Sequence, residues 1–342
     1  MMPACPPAMP LTPIQTEDRS HLLAKLAAGE YRLERLDRCL CDSADSVSIA
    51  DHDRFGIPVG VVLCQACGLA RTTPRLATAN LASFYQTDYH GLHLSVRRPD
   101  PDQILFRRRP EAAIHPFLAD LLPPGPLSVA DVGAGTGRDL RAFAEAVGGP
   151  IHVVGCDFSE AFAAAGRAAG TDIRHGGPET LIEFAPYDAV ILSHVVEHFP
   201  NPTTDLAAIR SLGHDGTLFY VEVPGLLSID RKPEYAYRLD RYLTLAHTFH
   251  FTLDTLAATM KRAGFRLVRG DEEVRAAFIP APVTSPPNDS EMATRILTSL
   301  RRLDSWPMRL RRVKPALRQR LVVAARAILP VSWIKALRHR SR

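Results

Sequence analysis

The sequence predicts an α/β fold in which a doubly wound, mostly parallel sheet is flanked by helices. Between residues 127 and 282, short β-branched runs alternate with Ala-rich helical runs, the pattern of parallel strands joined by crossover helices. The chain has 342 residues, 46% hydrophobic and 23% charged, which is ordinary for a soluble globular protein. Its longest uncharged stretches have 16 residues, fewer than the roughly 18 that crossing a bilayer requires. No transmembrane helix is expected.

Six strands and four helices are predicted in this region. The strands are expected at residues 127–132, 152–156, 188–193, 217–223, 265–269 and 274–281. The helices are expected at residues 137–147, 159–169, 203–212 and 252–263. A further helix is predicted at 114–122, because Pro123 and Pro124 cannot continue it.

Four parts are predicted along the chain. Residues 1–20 lack a basic start followed by an apolar core, so they are expected to form a flexible lead rather than an export signal. A metal-binding subdomain follows at 21–110, with its first helix at 21–35. The α/β domain covers 111–282, and a linker with basic amphipathic helices covers 283–342. The expected location is the cytoplasm.

Three alternating glycines follow the first predicted strand of the α/β domain. At Gly133, Gly135 and Gly137 the backbone can approach a ligand closely, and the helix that follows offers free N–H donors at its start. Arg138 stands where the G-x-G-x-x-G fingerprint needs a small residue, which disfavours binding of NAD. A tight turn without a ligand is the alternative explanation of these glycines.

Two carboxylates accompany the glycine loop. Asp131 lies two residues before the first glycine, where it could pair with an amine. Asp157 ends the second predicted strand, 24 residues after Gly133, where an acid can accept both hydroxyls of a ribose. An amine and a ribose without a phosphate are features of S-adenosylmethionine, which is therefore the expected cofactor.

The motifs DVGAGTG, GCDFS, YDAVILSHVVEHFPNP and GTLFYVEVPG occur in this order within residues 127–282. Together they resemble the class I S-adenosylmethionine-dependent methyltransferases, which implies a Rossmann-like sheet of seven mostly parallel strands. The cofactor-binding residues implied by this resemblance are Asp131, Gly133, Ala134, Gly135, Gly137, Asp157, Phe158, Ser193 and His194.

The resemblance also assigns these residues to parts of the cofactor. Asp131 and the glycine loop would hold its amino-acid end, Asp157 its ribose, and Phe158 would cover its adenine. The segment 193–194 would line the methionine side. Many members of the family have an acid after the third strand that contacts the adenine amino group, but here glycines stand at 176–177. The adenine contact is therefore left unassigned.

Four of the six cysteines are clustered in sequence, in a chain without an export signal. Cys64 and Cys67 have the spacing of a zinc knuckle, and Cys39 and Cys41 supply a second, irregular pair. These four thiolates are expected to hold one structural Zn²⁺, and unliganded buried cysteines are the alternative. The sequence from 63 to 89 resembles the N-terminal metal-binding segment of sugar C-methyltransferases. That resemblance implies that two tyrosines, at 85 and 89, either line the acceptor pocket or pack in the core.

Acids and histidines for proton transfer occur at or after the ends of the strands predicted at 188–193 and 217–223. The candidates are His194, Glu197, His198, Glu222, His247 and His250. His247 is favoured as the base, with His198 and His250 next, because it matches the position of the base in sugar C-methyltransferases. Those enzymes usually have an acid just before this histidine, where Ala246 stands here. C-methylation and O-methylation therefore both stay open, as does a purely structural role for each histidine.

Charge is unevenly distributed along the chain. From Arg295 to the end there are 14 Lys and Arg residues against one acid, so this tail carries +13 and the rest of the chain −9. Its apolar positions have helical spacing, which fits either an anionic membrane surface or a protein contact. Nucleic acid is a less favoured partner, because aromatic residues are not interleaved with the basic ones.

The expected function is methyl transfer from S-adenosylmethionine to a small-molecule, sugar-nucleotide, glycan or lipid-linked acceptor. One alternative is a catalytically degenerate binding or scaffold module, which the intact Asp131 and Asp157 disfavour. Another is a tRNA or protein methyltransferase. The strand predicted at 188–193 ends in the sequence ILSHVVEH, which lacks the Asn-Pro-Pro-Tyr type of motif used in methylation of base amino groups.

Overall fold

The N-terminal helix differs most from the sequence prediction. In the computed structural model, which describes residues 4–99 and 114–309, helix α1 (Pro13–Ala27) begins eight residues earlier than expected. Thr12 and Gln15 form a capping box, and proline suits the first helical turn. The helix also ends early, because Gly29 adopts a left-handed backbone conformation with φ +75°. The predictions of a flexible lead to residue 20 and of a helix at 21–35 are therefore corrected.

Short strands and helices follow α1 and build a small N-terminal subdomain. The strands are β1 (Leu33–Glu34), β2 (Ser46–Ala50), β3 (Val61–Cys64), β4 (Ala70–Thr72) and β5 (Arg75–Leu76). The helices are α2 (Leu81–Thr87) and α3 (Tyr89–Leu94). Helix α4 (Ile114–Leu118), shorter than predicted, packs instead in a hydrophobic cluster with Leu127 and Leu140 of the α/β domain. Strands β2, β3 and β4 pair antiparallel, and β1 pairs with β5.

Strands and helices alternate from residue 127 onward, as the sequence predicts. The first half contains β6 (Leu127–Val132), α5 (Arg138–Val147), β7 (Ile151–Asp157), α6 (Glu160–Ala168), β8 (Ile173–His175), β9 (Tyr187–Ser193) and α7 (Pro202–Ile209). The second half contains β10 (Gly213–Glu222), α8 (Leu239–Tyr242), β11 (Phe249–His250), α9 (Leu253–Arg262), β12 (Phe265–Gly270), β13 (Arg275–Pro280) and α10 (Ser290–Arg302). Six predicted strands are confirmed within a few residues, and β8 and β11 are additions.

The large sheet has seven strands in the order β8-β7-β6-β9-β10-β13-β12. All neighbours from β8 to β10 are parallel, whereas β13 is antiparallel to both β10 and β12. Hydrophobic clusters cover both faces of the sheet, one including Phe219, Phe265 and Leu256 and the other Leu140 and Phe143. The predicted doubly wound, mostly parallel α/β fold is therefore confirmed.

The connection between β10 and α9 leaves the large sheet and joins the small one. Strand β11, within this connection, pairs antiparallel with β4, so the four-stranded sheet has the order β11-β4-β3-β2. Because parallel strands expose their carboxyl ends at one edge, this connection brings the N-terminal subdomain over the edge where β6, β7 and β9 end. The sequence did not indicate this pairing.

The first part of the basic tail packs on the body of the protein. Helix α10 buries Ala293, Ile296 and Leu300 in a cluster that also contains Leu63 of β3 and Ile229. A protein contact is thus observed for this segment within the chain itself. The rest of the tail, from residue 310, lies outside the described residues. Among the helices that are described, none combines the length and apolar character needed to cross a membrane.

Candidate active site

The glycine loop lies at the carboxyl end of β6 and has the conformation that its composition predicts. Gly133, Gly135 and Gly137 all have positive φ angles, between +57° and +74°. A Cβ at Gly133 would lie only 2.6 Å from Val195 Cγ2, so a side chain there would also clash. The loop is fixed on its other side, where the backbone N–H of Gly135 donates to Asp157 Oδ2 at 2.8 Å.

Two carboxylates lie beside the loop, as the sequence analysis expects. Asp157 also accepts a hydrogen bond from the N–H of Ser159 at 2.8 Å, so the carboxylate is held in place by backbone donors. Asp131 is buried, and this burial, together with the negative charges of Asp139 and Asp157, raises its pKa well above its usual range. Such an environment favours a ligand cation close to Asp131, because a cation would stabilise the charged carboxylate.

A cavity of about 680 Å³ opens beside the loop. Its walls combine loop and sheet-edge residues with residues of α2 and α3, and this size lies within the usual range for small-molecule sites. Tyr85 and Tyr89 form one wall, and Asp157 and Phe158 lie on another. The ring of Phe158 is 57% exposed although it is a large apolar side chain, so it offers a free surface to a ligand.

Glu179 is a functional candidate that the sequence analysis missed. It lines the same cavity as Phe158 and follows Pro178 in the segment after β8. Its Oε1 accepts a hydrogen bond from the N–H of Gly177 at 2.9 Å. An acid therefore lies close to the end of β8, two residues after the second glycine. The motif HGGPETL contained the signal, but β8 has only three residues and its end was not predicted.

The two tyrosines of the N-terminal subdomain meet His198 at the cavity wall. Their ring centroids lie 5.8 Å (Tyr85) and 5.6 Å (Tyr89) from that of His198, in edge-to-face contacts. Among the described residues, the buried hydroxyl of Tyr85 has no hydrogen-bond partner. These aromatic rings therefore pack together and line the cavity at once.

The histidines differ in their access to the cavity. His194 and His198 belong to its lining, whereas His247 lies behind His198 with ring centroids 5.0 Å apart. His198 Nδ1 lies 2.9 Å from the carbonyl oxygen of Ala246. A carbonyl can only accept, so Nδ1 carries the proton and Nε2 keeps a free lone pair. Burial lowers the pKa of His198, which keeps this ring neutral near pH 7.

His250 belongs to the small sheet. Its Nε2 lies 3.2 Å from the hydroxyl of Thr72, and that hydroxyl donates to the carbonyl oxygen of His247. Burial lowers the pKa of His250 to about 3. Its position therefore fits a hydrogen-bonded structural residue better than a group that meets the acceptor, although its ring still lies 5.9 Å from that of His247.

Glu197 is a buried carboxylate between two histidines. It is 1% exposed, and its Oε1 lies 3.5 Å from His194 Nδ1 and 3.8 Å from His198 Nε2. Within the described part of the chain, neither of its carboxylate oxygens has a hydrogen-bond partner. Glu222, in contrast, accepts a hydrogen bond from the hydroxyl of Tyr220 at 3.0 Å.

A family model for a methyltransferase domain matches residues 105–269, which include the loop, both carboxylates and the four histidines described above. These residues form an S-adenosylmethionine-dependent methyltransferase domain. No curated protein matches it. Its fold is similar to that of solved methyltransferase structures, which share little sequence with it.

One such structure is the 1,6-didemethyltoxoflavin-N1-methyltransferase of Burkholderia thailandensis, with 18% identity, 71% of this chain and 100% of that chain covered, and a TM-score of 0.41. Another match is a chain from the complex of the Haloferax volcanii Trm112 methyltransferase activator with a methyltransferase. It is 17% identical, the match covers 53% of this chain and 94% of that chain, and the TM-score is 0.41. A third is the sugar N-methyltransferase KedS8 of Streptoalloteichus, which is 20% identical. This match covers 37% of this chain and 54% of that chain, with a TM-score of 0.30.

The four clustered cysteines of this methyltransferase converge as expected. Their sulfur atoms all lie within 4.8 Å of one another, with Cys39 and Cys67 at 3.5 Å and Cys41 and Cys64 at 3.6 Å. Four thiolates about 2.3 Å from a tetrahedral zinc would be about 3.8 Å apart. Gly68, with φ +74°, makes the turn that returns the chain after the second pair. The cluster is therefore compatible with zinc.

Proposed function

We propose that this methyltransferase methylates a small-molecule, sugar-nucleotide, glycan or lipid-linked acceptor, on carbon or oxygen, in the cavity beside its glycine loop. One observation carries the proposal, namely that a single cavity joins cofactor-loop residues to the tyrosines of the N-terminal subdomain. Methyl transfer needs the acceptor aligned behind the sulfonium methyl group and shielded from water. A cavity with two such walls can hold cofactor and acceptor together.

The cofactor would lie along the sheet edge. Asp131 and the glycine loop, including Ala134, would hold its amino-acid end, and Asp157 its ribose. Phe158 would cover the adenine, with Glu179 as a candidate acceptor for the adenine amino group. The segment 193–194 would then lie beside the methionine side chain, which directs the methyl group toward the tyrosine wall.

The acceptor would lose its proton to the group of histidines formed by His198, His247 and His250. His198 is the member that lines the cavity, and its neutral ring carries a lone pair on Nε2. His247 lies behind His198 and His250 behind His247, so these two would act on the acceptor by way of His198. A neutral imidazole can accept a proton only within hydrogen-bond reach, about 3 Å.

Replacing Asp157 by alanine is expected to weaken S-adenosylmethionine binding by about 1.5 to 3 kcal/mol, because a charge-assisted contact to the ribose is lost. Calorimetry with S-adenosylhomocysteine measures the change. A matched control is Asp172→Ala, which removes a partly exposed carboxylate paired with Arg174 outside the cavity. Unchanged affinity in Asp157→Ala would refute the assignment of the cofactor site.

Replacing Tyr85 by phenylalanine is expected to raise the KM for the acceptor roughly three- to tenfold, since one buried hydrogen bond is worth about 0.5 to 1.5 kcal/mol. The Tyr85 hydroxyl has no partner among the described residues, so a polar acceptor group is its expected partner. Kinetics with labelled S-adenosylmethionine and a panel of nucleotide sugars and lipid-linked glycans would measure the effect. An acceptor that is methylated with unchanged KM would contradict this role.

A further inference from the structure

Glu197 poses an electrostatic problem that the proposed function does not solve. It is buried in a wall of the active site, and no Lys or Arg among the described residues forms an ion pair with it. A buried carboxylate that is neither paired nor hydrogen-bonded costs several kcal/mol. The histidines beside Glu197 pair with it only when they are protonated, whereas a cation bound between them would offset this cost.

Distances around Glu197 suit a shared cation better than direct hydrogen bonds. The 3.8 Å between its Oε1 and His198 Nε2 exceeds the roughly 2.7 to 2.9 Å of a charge-assisted hydrogen bond. Two ligand atoms about 2.1 Å from one metal ion are about 3.0 Å apart at a right angle and about 4.2 Å apart when opposite. The observed separation lies within this interval.

The hydrogen bond made by His198 Nδ1 supports the same conclusion. Its Nδ1–H donates to the carbonyl oxygen of Ala246, so the lone pair of Nε2 is on the side of Glu197. A histidine that binds a metal through one nitrogen typically donates the other N–H to a carbonyl or carboxylate. His247 completes the set, since one ligand atom from each of these three residues lies within 4.8 Å of the other two.

We propose that Glu197, His198 and His247 bind a divalent first-row transition-metal ion at the acceptor end of the cavity. Two imidazoles and one carboxylate are a ligand set for such ions, and three protein ligands leave a position open. Because His198 lines the cavity, an acceptor oxygen can reach that position. The inference rests on the proposed function for this last role, in which the cation orients the acceptor and acidifies its hydroxyl. With the ion bound, His198 Nε2 is a ligand and no longer the base, and the acidified hydroxyl releases its proton to water.

The proposed site differs chemically from the cysteine cluster. Thiolates select Zn²⁺ and other soft ions, whereas nitrogen and oxygen ligands also accept Mn²⁺. Mn²⁺ can therefore probe the new site in the full-length protein while the cysteine cluster keeps its own ion. The electron paramagnetic resonance signal of free Mn²⁺ in a titration measures how much of the ion is bound.

Wild-type protein is expected to bind one Mn²⁺ per chain, and Glu197→Gln to bind it at least tenfold more weakly. The matched control is Glu222→Gln, which removes a carboxylate that lies near His194 but outside the ligand set, and it should change the affinity less than threefold. Circular dichroism checks that each variant is folded. His198→Gln, with the same expected loss, replaces Glu197→Gln if that variant is unfolded.

Two results would overturn the proposal. One is the absence of Mn²⁺ and Co²⁺ binding at millimolar concentration in the wild type, which needs no variant. The other is equal Mn²⁺ affinity in the folded Glu197→Gln or His198→Gln variant and the wild type. Calorimetry with S-adenosylhomocysteine separates the two proposals, because cofactor binding without metal binding would leave the proposed function standing and remove the metal site alone.

Discussion

Replacing His247 by alanine is expected to lower turnover by about two to four orders of magnitude. His247 lies against His198 and near Glu197, so its loss removes a member of the group that receives the acceptor proton or holds a cation. It is absent from the cavity lining next to the glycine loop, so the affinity for the cofactor should stay nearly unchanged. Turnover with the identified acceptor and calorimetry with S-adenosylhomocysteine measure the two quantities.

Two comparisons make the His247 result interpretable. His152→Ala, at an exposed position of β7 that is absent from the cavity lining, is a matched control in which turnover should be preserved. His247→Gln fills more of the space and checks that a lost side-chain volume is not the cause. If turnover of His247→Ala falls less than tenfold, His247 is structural, and His198 or His250 becomes the better candidate.

We propose that the cysteine cluster holds one structural zinc, whose removal is expected to destabilise the N-terminal subdomain by on the order of 10 kcal/mol. Cys39 and Cys64 belong to the same hydrophobic cluster as Phe249 and Phe251, so loss of the cluster would also disturb β11. Elemental analysis should find one zinc per chain bound by the four cysteines. Thermal unfolding with and without a chelator measures the loss of stability.

Single substitutions test the cysteine ligands one by one. Cys64→Ser should release the zinc, whereas Cys5→Ser, outside the cluster, should retain it. Protein purified without a chelator that contains no stoichiometric zinc would refute the site. Zinc retained in Cys39→Ser would show that the irregular first pair does not supply two ligands.

Local patterns in the sequence were sufficient to predict most of the large sheet. Strands such as β6 and β9 are mostly apolar and buried along most of their length, because a parallel strand is covered on both faces. The glycine loop was also recognisable from the sequence, because positive φ angles at three alternating positions favour glycine at each of them. The ends of β7 at Asp157 and of β9 at Ser193 could be predicted within a residue, because the apolar run of each strand stops there.

Features that depend on long-range contacts could not be predicted in this way. Strand β11 has two residues, and it exists because β4, far away in sequence, offers it a pairing edge. The burial of Glu197 depends in the same way on neighbours from other parts of the chain. From the sequence it was only one acid in a motif, and its enclosure among His194, His198 and His247 was not visible.

A structure of the protein with S-adenosylhomocysteine tests the central claim most directly. We predict the ribose hydroxyls at Asp157, the amino group near Asp131, and the sulfur directed toward the wall formed by Tyr85 and His198. Space for an acceptor should stay open between the sulfur and that wall. Binding of the cofactor elsewhere, or a sulfur directed away from the tyrosines, would contradict the account.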